Sequence, residues 1–481
     1  VTQVRKSEVE VRAELDGLST RPFGKLPGVT GLSGTVRSDP QGGRIELDGR
    51  EAAFDFVEMF REPLRFDRVE GLVVWSRGAD GLTIIGDDVR AGNPDLALQT
   101  GFRLRIPGEG GDGRMDMQAT IRDVDLGSAS RYLPVGIMSE NLVGWLDSAI
   151  VSGRAPVARL RLQGPIKGFP YPNDEGLFEV SFGAQDLLLD YTRGWPRGEA
   201  ITADFLFRNA GFSATVREGN LSGLAVEEIE VEIPVLREGM LSIKGGASGQ
   251  LADARQYVID SPISDMLGPA LSETRVASGQ ASVLVDLLLP LQDLAAREIL
   301  VELDMEDAEV RYGRIDDALE SASGRLLIDD KIISSENLTG MFLGEPVEIA
   351  VVTPETGGTR MEVSGLITDE ALIEVLGIPL AGYLDGAAPW QGTAYFPRKD
   401  TGDEFWIRLR SGLSGMVSTM PYPLGKSADD LRTLVVDFRF PEDGRMEWFG
   451  TYNDQCSVAA GFDTGGERPE FRQGTVRCGA G

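Results

Sequence analysis

Gly279-Gln-Ala-Ser-Val-Leu-Val-Asp-Leu-Leu-Leu-Pro290 leaves a glycine, runs as an apolar strand and stops at a proline turn. Two further stretches follow the same plan: Gly153-Arg-Ala-Pro-Val-Ala-Arg-Leu-Arg-Leu-Gln-Gly164 and Gly386-Ala-Ala-Pro-Trp-Gln-Gly-Thr-Ala-Tyr-Phe-Pro397. A short helix-like segment precedes each one. The three therefore mark restarts of a repeat of roughly 105 to 125 residues, a large β-rich unit copied along the chain. Modules are expected at residues 31–152, 153–278, 279–385 and 386–481, the last incomplete, behind a leading strand in residues 1–30. Function then belongs to a long surface shared by the copies.

The strands announce themselves by period-two alternation. Met115-Asp-Met117-Gln-Ala119-Thr-Ile121, Ile229-Glu-Val231-Glu-Ile233, Val301-Glu-Leu303-Asp-Met305-Glu and Met361-Glu-Val363 each have one apolar and one polar, mostly acidic, face. Such strands suit antiparallel meanders with one wet side, not a parallel α/β core. Pro40-Gln-Gly42-Gly43, Gly108 to Gly113, Pro354 to Gly358 and Pro441 to Gly444 read as hairpin loops. The Gly108 run lacks the Lys-Ser/Thr ending and following helix of a phosphate loop.

Helices are short and stand at the module joints. Ser139 to Ile150 spaces its apolar residues at i, i+3 and i+4 behind a serine cap; Ser264 to Leu271 and Thr368 to Gly377 are expected to occupy the equivalent places. Each follows a strand ending near an aspartate, at Asp125, Asp253 and Asp369. After the restart the copies keep a common course: Val180-Ser-Phe182 to Asp186 and Tyr191 parallels Val301-Glu-Leu303 to Asp307 and Tyr312. Ala203-Asp-Phe205-Leu-Phe207 likewise lies opposite Gly324-Arg-Leu326-Leu-Ile328.

Composition removes whole classes of chemistry. The 481 residues include no histidine, so Ser-His-Asp, Cys-His and His-zinc arrangements are excluded. A formal charge of -29 opposes binding to a nucleic-acid backbone or lying flat on an anionic bilayer. No 18-residue apolar run is present, and the first residues do not resemble a signal peptide, so the chain reads as a soluble piece of something longer whose membrane anchor lies elsewhere. Cys456 and Cys478, the only cysteines, suit a disulfide across a hairpin in an oxidising compartment, worth roughly 3 kcal/mol in the chain-entropy model; two reduced buried thiols are the alternative. No cofactor is implied.

Several motifs carry a family resemblance. Tyr132-Leu-Pro134-Val-Gly-Ile-Met138, Leu142-Val-Gly-Trp145-Leu-Asp147, Gly164-Pro-Ile-Lys-Gly-Phe169-Pro170 and Leu189-Asp-Tyr191-Thr-Arg-Gly-Trp195-Pro196 resemble the central region of the YhdP family, in the AsmA-like group that includes TamB. Leu413 to Lys426, ending Pro421-Tyr-Pro423-Leu424-Gly425-Lys426, is similar to the group's Leu-Pro-x-Pro-Leu-Gly-Lys turn. The resemblance implies a repeating β-groove that carries phospholipid between the inner and outer membranes of a Gram-negative envelope. It also implies a periplasmic location, an inner-membrane anchor and an outer-membrane end outside this chain, and envelope partners. The two cysteines match no motif of the group.

Physics makes that role reasonable. A diacyl lipid exposes about thirty methylenes, at roughly 0.8 kcal/mol each, so free desorption into water is opposed by something like 20 to 25 kcal/mol. A continuous apolar trough removes most of that barrier. About twenty strands at roughly 4.8 Å spacing would make such a wall near 100 Å long. Its lining would come from the apolar members of the alternating strands: Met115, Met117, Phe205, Phe207, Val231, Ile233, Val283, Val285, Leu287, Val301, Leu303, Met305, Met361 and Val363. The same alternation describes an ordinary closed sandwich core, and methionine suits either.

Other residues read more simply. Trp145 fits a packing anchor between helix and sheet, and Trp195-Pro196 a turn at a strand entry. Acids at Asp304 to Asp307 alternate between faces and lack a glycine-centred calcium loop. No aromatic-lined carboxylate pair suggests glycoside hydrolysis. Arg103, Arg105, Arg159 and Arg161 fit the solvent face of strands. The sequence thus describes a mainly β, elongated, antiparallel β-groove with short joint helices, a non-catalytic conduit for phospholipid. The alternative is a sealed, β-rich envelope scaffold or adhesin-like segment binding protein or glycan.

Overall fold

The computed structural model describes residues 10–22, 27–108, 111–264, 273–313, 317–330, 332–354, 358–376, 382–397, 403–441, 445–463 and 470–479. These residues are mainly β, with 26 strands assigned to one antiparallel sheet. Two compact units divide the chain. The first comprises Val1–Leu221, Ala225–Gly245 and Leu288–Arg297; the second comprises Ser222–Leu224, Gly246–Leu287 and Glu298–Gly481.

In the first unit β1 (Val11–Thr20), β2 (Gly28–Asp39), β3 (Gly42–Asp55), β4 (Leu64–Gly78), β5 (Gly81–Asn93) and β6 (Leu96–Pro107) open a meander. It continues through β7 (Arg114–Asp125), β8 (Ile150–Pro165), β9 (Leu177–Leu189), β10 (Gly198–Arg208) and β11 (Gly211–Leu221). Each strand pairs antiparallel with its neighbours in sequence. Turn chemistry fixes the register: at the β2–β3 hairpin the Asp39 carboxylate accepts the amides of Gln41 and Gly42 at 2.7 and 2.9 Å. Strands β12 (Leu224–Ile233), β13 (Met240–Gln250) and β14 (Thr274–Pro290) follow.

The second unit continues with β15 (Glu298–Tyr312), β16 (Leu319–Asp329), β17 (Ile332–Phe342), β18 (Glu345–Val352), β19 (Thr359–Thr368) and β20 (Leu384–Phe396). Then come β21 (Trp406–Ser411), β22 (Met416–Ser418), β23 (Leu434–Arg439), β24 (Arg445–Tyr452), β25 (Cys456–Asp463) and β26 (Glu470–Cys478). Short β22 steps out of line to pair with the start of β20, so β21 pairs with β23. A disulfide joins Cys456 to Cys478, which are register partners on β25 and β26.

Helices α1 (Glu140–Ala149), α2 (Leu251–Ile259) and α3 (Asp369–Leu376) follow β7, β13 and β19, six strands apart. Ser139 caps α1 by accepting the Leu142 amide at 3.3 Å, and Thr368 caps α3 through the Ala371 amide at 3.3 Å. The helix expected over Ser264 to Leu271 falls, but for Ser264, outside the described residues, and α2 precedes that stretch. Helix α2 begins at Leu251, so Gly249 to Asp253 is a strand-to-helix passage and not a strand end. Leu251 and Ala254, a turn apart and both buried, seat it.

One device bends the strands. Asp186 in β9 and Asp307 in β15, matched already by sequence, both take the left-handed conformation, φ 50 and 48. The β15–β16 register slips between Met305 and Ala308, and β9 slips against both its neighbours, so each aspartate marks a bulge. Aspartate tolerates this backbone better than most residues because its short polar side chain bonds locally. The residues that follow, Leu187 and Ala308, are 2% and 0% exposed. Facing them are the restart glycines Gly153 and Gly279, with φ 149 and 120. A Cβ on Gly153 would lie 3.0 Å from Leu187 Cα, and one on Gly279 2.6 Å from Ala308 Cα.

Candidate functional site

The strands present one apolar face and one charged face. In the first unit Val36, Ile45, Val73, Gly86, Phe102, Met117, Leu162 and Phe178 are successive register partners from β2 to β9. A second row on the same face runs Leu98, Ile121, Ala158, Phe182, Phe205 and Ala214 from β6 to β11. Phe182 and Phe205 stack with centroids 5.0 Å apart. Most of the larger side chains in these rows are half-buried, neither sealed nor fully in water. The fully buried positions beside the bulges are often small, such as Ala155, Ala184 and Ala203, where neighbouring backbones crowd.

On the opposite face Arg103, Arg105, Arg159 and Arg161 are exposed, as their alternation predicts. Arg103 lies across from Asp116, and Arg161 from Glu179.

All the lining residues expected from sequence sit on strands and are half-buried. Met115, Met117, Phe205, Phe207, Val231 and Ile233 lie in the first unit; Val283, Val285, Leu287, Val301, Leu303, Met305, Met361 and Val363 lie in the second. Sequence reasoning missed Phe102, Leu104, Leu160, Leu162, Phe178 and Phe182, which share the face. Phe102-Arg-Leu104-Arg and Leu160-Arg-Leu162 alternate clearly, and only their arginines had been weighed.

Both units hold buried clusters: in the first, Phe182 and Phe205 pack on one built around Leu126, Leu187 and Ile201, and Leu98 and Ile121 on one built around Phe66, Val69 and Leu96. The second unit's is larger. Leu338, Val347, Ile349, Ile367, Ala371, Leu372, Ala388, Trp390, Leu413 and Met416 form a buried core, onto which Met305, Met361 and Val363 pack. Helix α3 supplies Ala371 and Leu372, and the segment before and within β22 supplies Leu413 and Met416. Here the alternating face is partly a core, the other meaning its period allowed.

An aromatic cluster also crosses this unit. Tyr312 ends β15, on the side of the β15–β16 link; Phe396 ends β20, on the side of the β20–β21 link. Strand direction alternates, so these are opposite margins of the sheet, with four strands between them. Yet the two rings meet at 5.2 Å, edge to face, and Tyr312 also meets Phe405 at 5.1 Å. Phe405 in turn contacts Phe396 and Phe440, each at 5.2 Å. Burial, reinforced by the Glu273 charge, raises the Tyr312 phenol well above its ordinary pKa.

The motifs that carried the resemblance turn out to hold loops. Tyr132 Oη accepts from Asn93 Nδ2 at 2.7 Å and donates to Asp95 at 2.9 Å. Burial is the first cause of its pKa of about 12. Lys426, 6% exposed, donates from Nζ to the Leu413 carbonyl at 2.7 Å and to the Met416 carbonyl, tying the Pro421–Lys426 turn to β22. Desolvation lowers its pKa. Trp145 is not the buried anchor expected: it is 39% exposed, and its Nε1 donates to the Tyr191 carbonyl at 2.8 Å, tying α1 to the β9–β10 loop. Trp195 precedes the β10 entry, as read from sequence. Asp304 and Glu302 pair with Arg325 at 2.9 and 3.2 Å.

A repetitive antiparallel sheet, apolar on one face and charged on the other, defines a class of elongated-meander β-rich proteins. The chain belongs to the YhdP family, whose model, described as YhdP protein, matches residues 2–481. It is similar to the intermembrane phospholipid transporter YhdP of Escherichia coli (strain K12), with 24% identity over 445 residues, covering 91% of this chain and 34% of that protein. The chain thus spans about a third of that relative's length. No solved structure matches it. Among the described residues, no helix is long and apolar enough to cross a membrane, which leaves membrane crossing by strands untouched.

Proposed function

We propose that this chain is a non-catalytic conduit in which the apolar face of the sheet shelters phospholipid acyl chains while headgroups stay in water. The observation that carries the reading is the half-buried apolar row running strand to strand from Val36 in β2 to Phe178 in β9. A core would seal such side chains; a wall for a mobile ligand leaves them reachable. The lining comprises the residues named from sequence together with their register partners. The name of the Escherichia coli relative supports phospholipid as the cargo. On this reading the chain works in the periplasm, between an inner-membrane anchor and an outer-membrane end, as a series of six-strand modules joined at the helices.

The sealed-scaffold alternative draws on the core of the second unit. Native mass spectrometry of the purified chain, with extraction of co-purifying lipid, decides between them. The conduit carries phospholipid and loses it in a folded Met117→Asp or Val285→Glu protein. A lipid-free mass under gentle conditions overturns the conduit in favour of the scaffold.

A further inference from the structure

The aromatic cluster at Tyr312 interrupts the face that the conduit reading requires to be passable. Tyr312, Phe396, Phe405 and Phe440 all belong to the apolar side: Phe396 continues the alternation of Gly392 and Ala394, and Tyr312 that of Ala308 and Val310 beyond the bulge. An acyl chain moving over this part of the second unit meets rings reaching across from one margin to the other.

Resting on the conduit reading, we propose that this bridge is a gate on acyl-chain passage, with Tyr312 its moving part. The three phenylalanines extend successive paired strands β20, β21 and β23 and touch one another in series, so their side is fixed by the ladder. Tyr312 is the last residue of β15 and crosses from the other margin. Behind it the Gly313 amide donates to the Glu273 carbonyl at 2.8 Å, a tether on the backbone, and the phenol bonds to the Glu273 side chain, the one hydrogen bond the ring gives up when it rotates. Its contacts across the gap are two ring pairs, weak beside the burial of an acyl chain. A chain arriving there can displace the ring and is sheltered as it does so.

The test measures transfer of a pyrene-labelled phosphatidylethanolamine from vesicles into the full chain, comparing wild type, Tyr312→Ala, Tyr312→Phe and Phe405→Leu. Tyr312→Ala is expected to load about tenfold faster, the rate equivalent of losing two aromatic contacts. Tyr312→Phe, which keeps the ring but loses the Glu273 hydrogen bond, and Phe405→Leu should both fall between wild type and Tyr312→Ala. Equal rates for wild type and folded Tyr312→Ala overturn the gate while leaving the conduit standing. Absence of loading by every protein, wild type included, overturns the conduit itself. Should Tyr312→Ala fail to fold, Phe405→Leu decides by the same comparison.

Discussion

Gly279 and Ala308 meet backbone to backbone, so closely that a Cβ on the glycine would lie 2.6 Å from the alanine Cα. Gly153 and Leu187 repeat the arrangement. In both pairs the glycine lies a few residues inside a strand at a module restart, and its partner follows a left-handed aspartate. The bend of the sheet is thus built from two sequence signals more than 25 residues apart, each hard to replace.

Gly279→Ala should destabilise the chain by roughly 2–4 kcal/mol, since the methyl both overlaps Ala308 and forces an unfavourable φ. Asp307→Gly should be close to neutral, whereas Asp307→Val should lose about 1–2 kcal/mol. Chemical denaturation of the three variants checks the order; a well-tolerated Gly279→Ala would remove the close-approach argument.

The two units should answer differently to a charge on the apolar face. Met117→Asp, on the open face of the first unit, should lower stability by no more than about 1 kcal/mol. Val363→Asp, packed against the Trp390 core, should lose more than about 3 kcal/mol. Thermal melts of the two proteins make the comparison. Similar losses at both sites would mean that the first unit is also sealed.

That contrast marks the limit of what alternation discloses. Met117 and Val363 have the same neighbours in pattern, apolar every second residue with an acid between, and both sit on the apolar side of antiparallel strands. Whether the side is open or covered depends on α3, Leu413 and Met416, which come from elsewhere in the chain. Likewise Tyr312 and Phe396 stand 84 residues apart, and no local signal joins them. Strand identity, the restart glycines, the first and third helices and the charged outer face were readable because each depends on local spacing. Helix α2 went unannounced because its buried Leu251 and Ala254 make only a weak stripe.

Alkaline pH should weaken the Tyr132 loop. Its folded pKa of about 12 lies above the ordinary 10.0, so the folded state holds the proton more tightly than the unfolded one. The associated stability is complete below pH 10 and is lost as pH rises through 12. Tyr132→Phe should cost about 1 kcal/mol at neutral pH, and the gap from wild type should narrow above pH 10 in denaturation curves. A gap independent of pH would show that Tyr132 ionises equally in both states.

Lys426→Met should lose about 2 kcal/mol by leaving the Leu413 and Met416 carbonyls without their donor. Hydrogen exchange should show the loss first at the Ser418 and Lys426 amides, which bond reciprocally to each other's carbonyls at 2.9 and 3.0 Å. Unchanged protection there would mean that the turn holds without its lysine. Lys426→Arg should not rescue it, because a planar fork cannot replace a compact ammonium in a closed site.

Apart from the detour at β22, every described pairing joins strands adjacent in sequence. A helix recurs after every sixth strand. Such a chain can gain or lose a six-strand block without any other strand changing partners, because each block meets only the blocks beside it. Strand number becomes an inherited quantity that duplication and deletion adjust in fixed steps, independently of strand length.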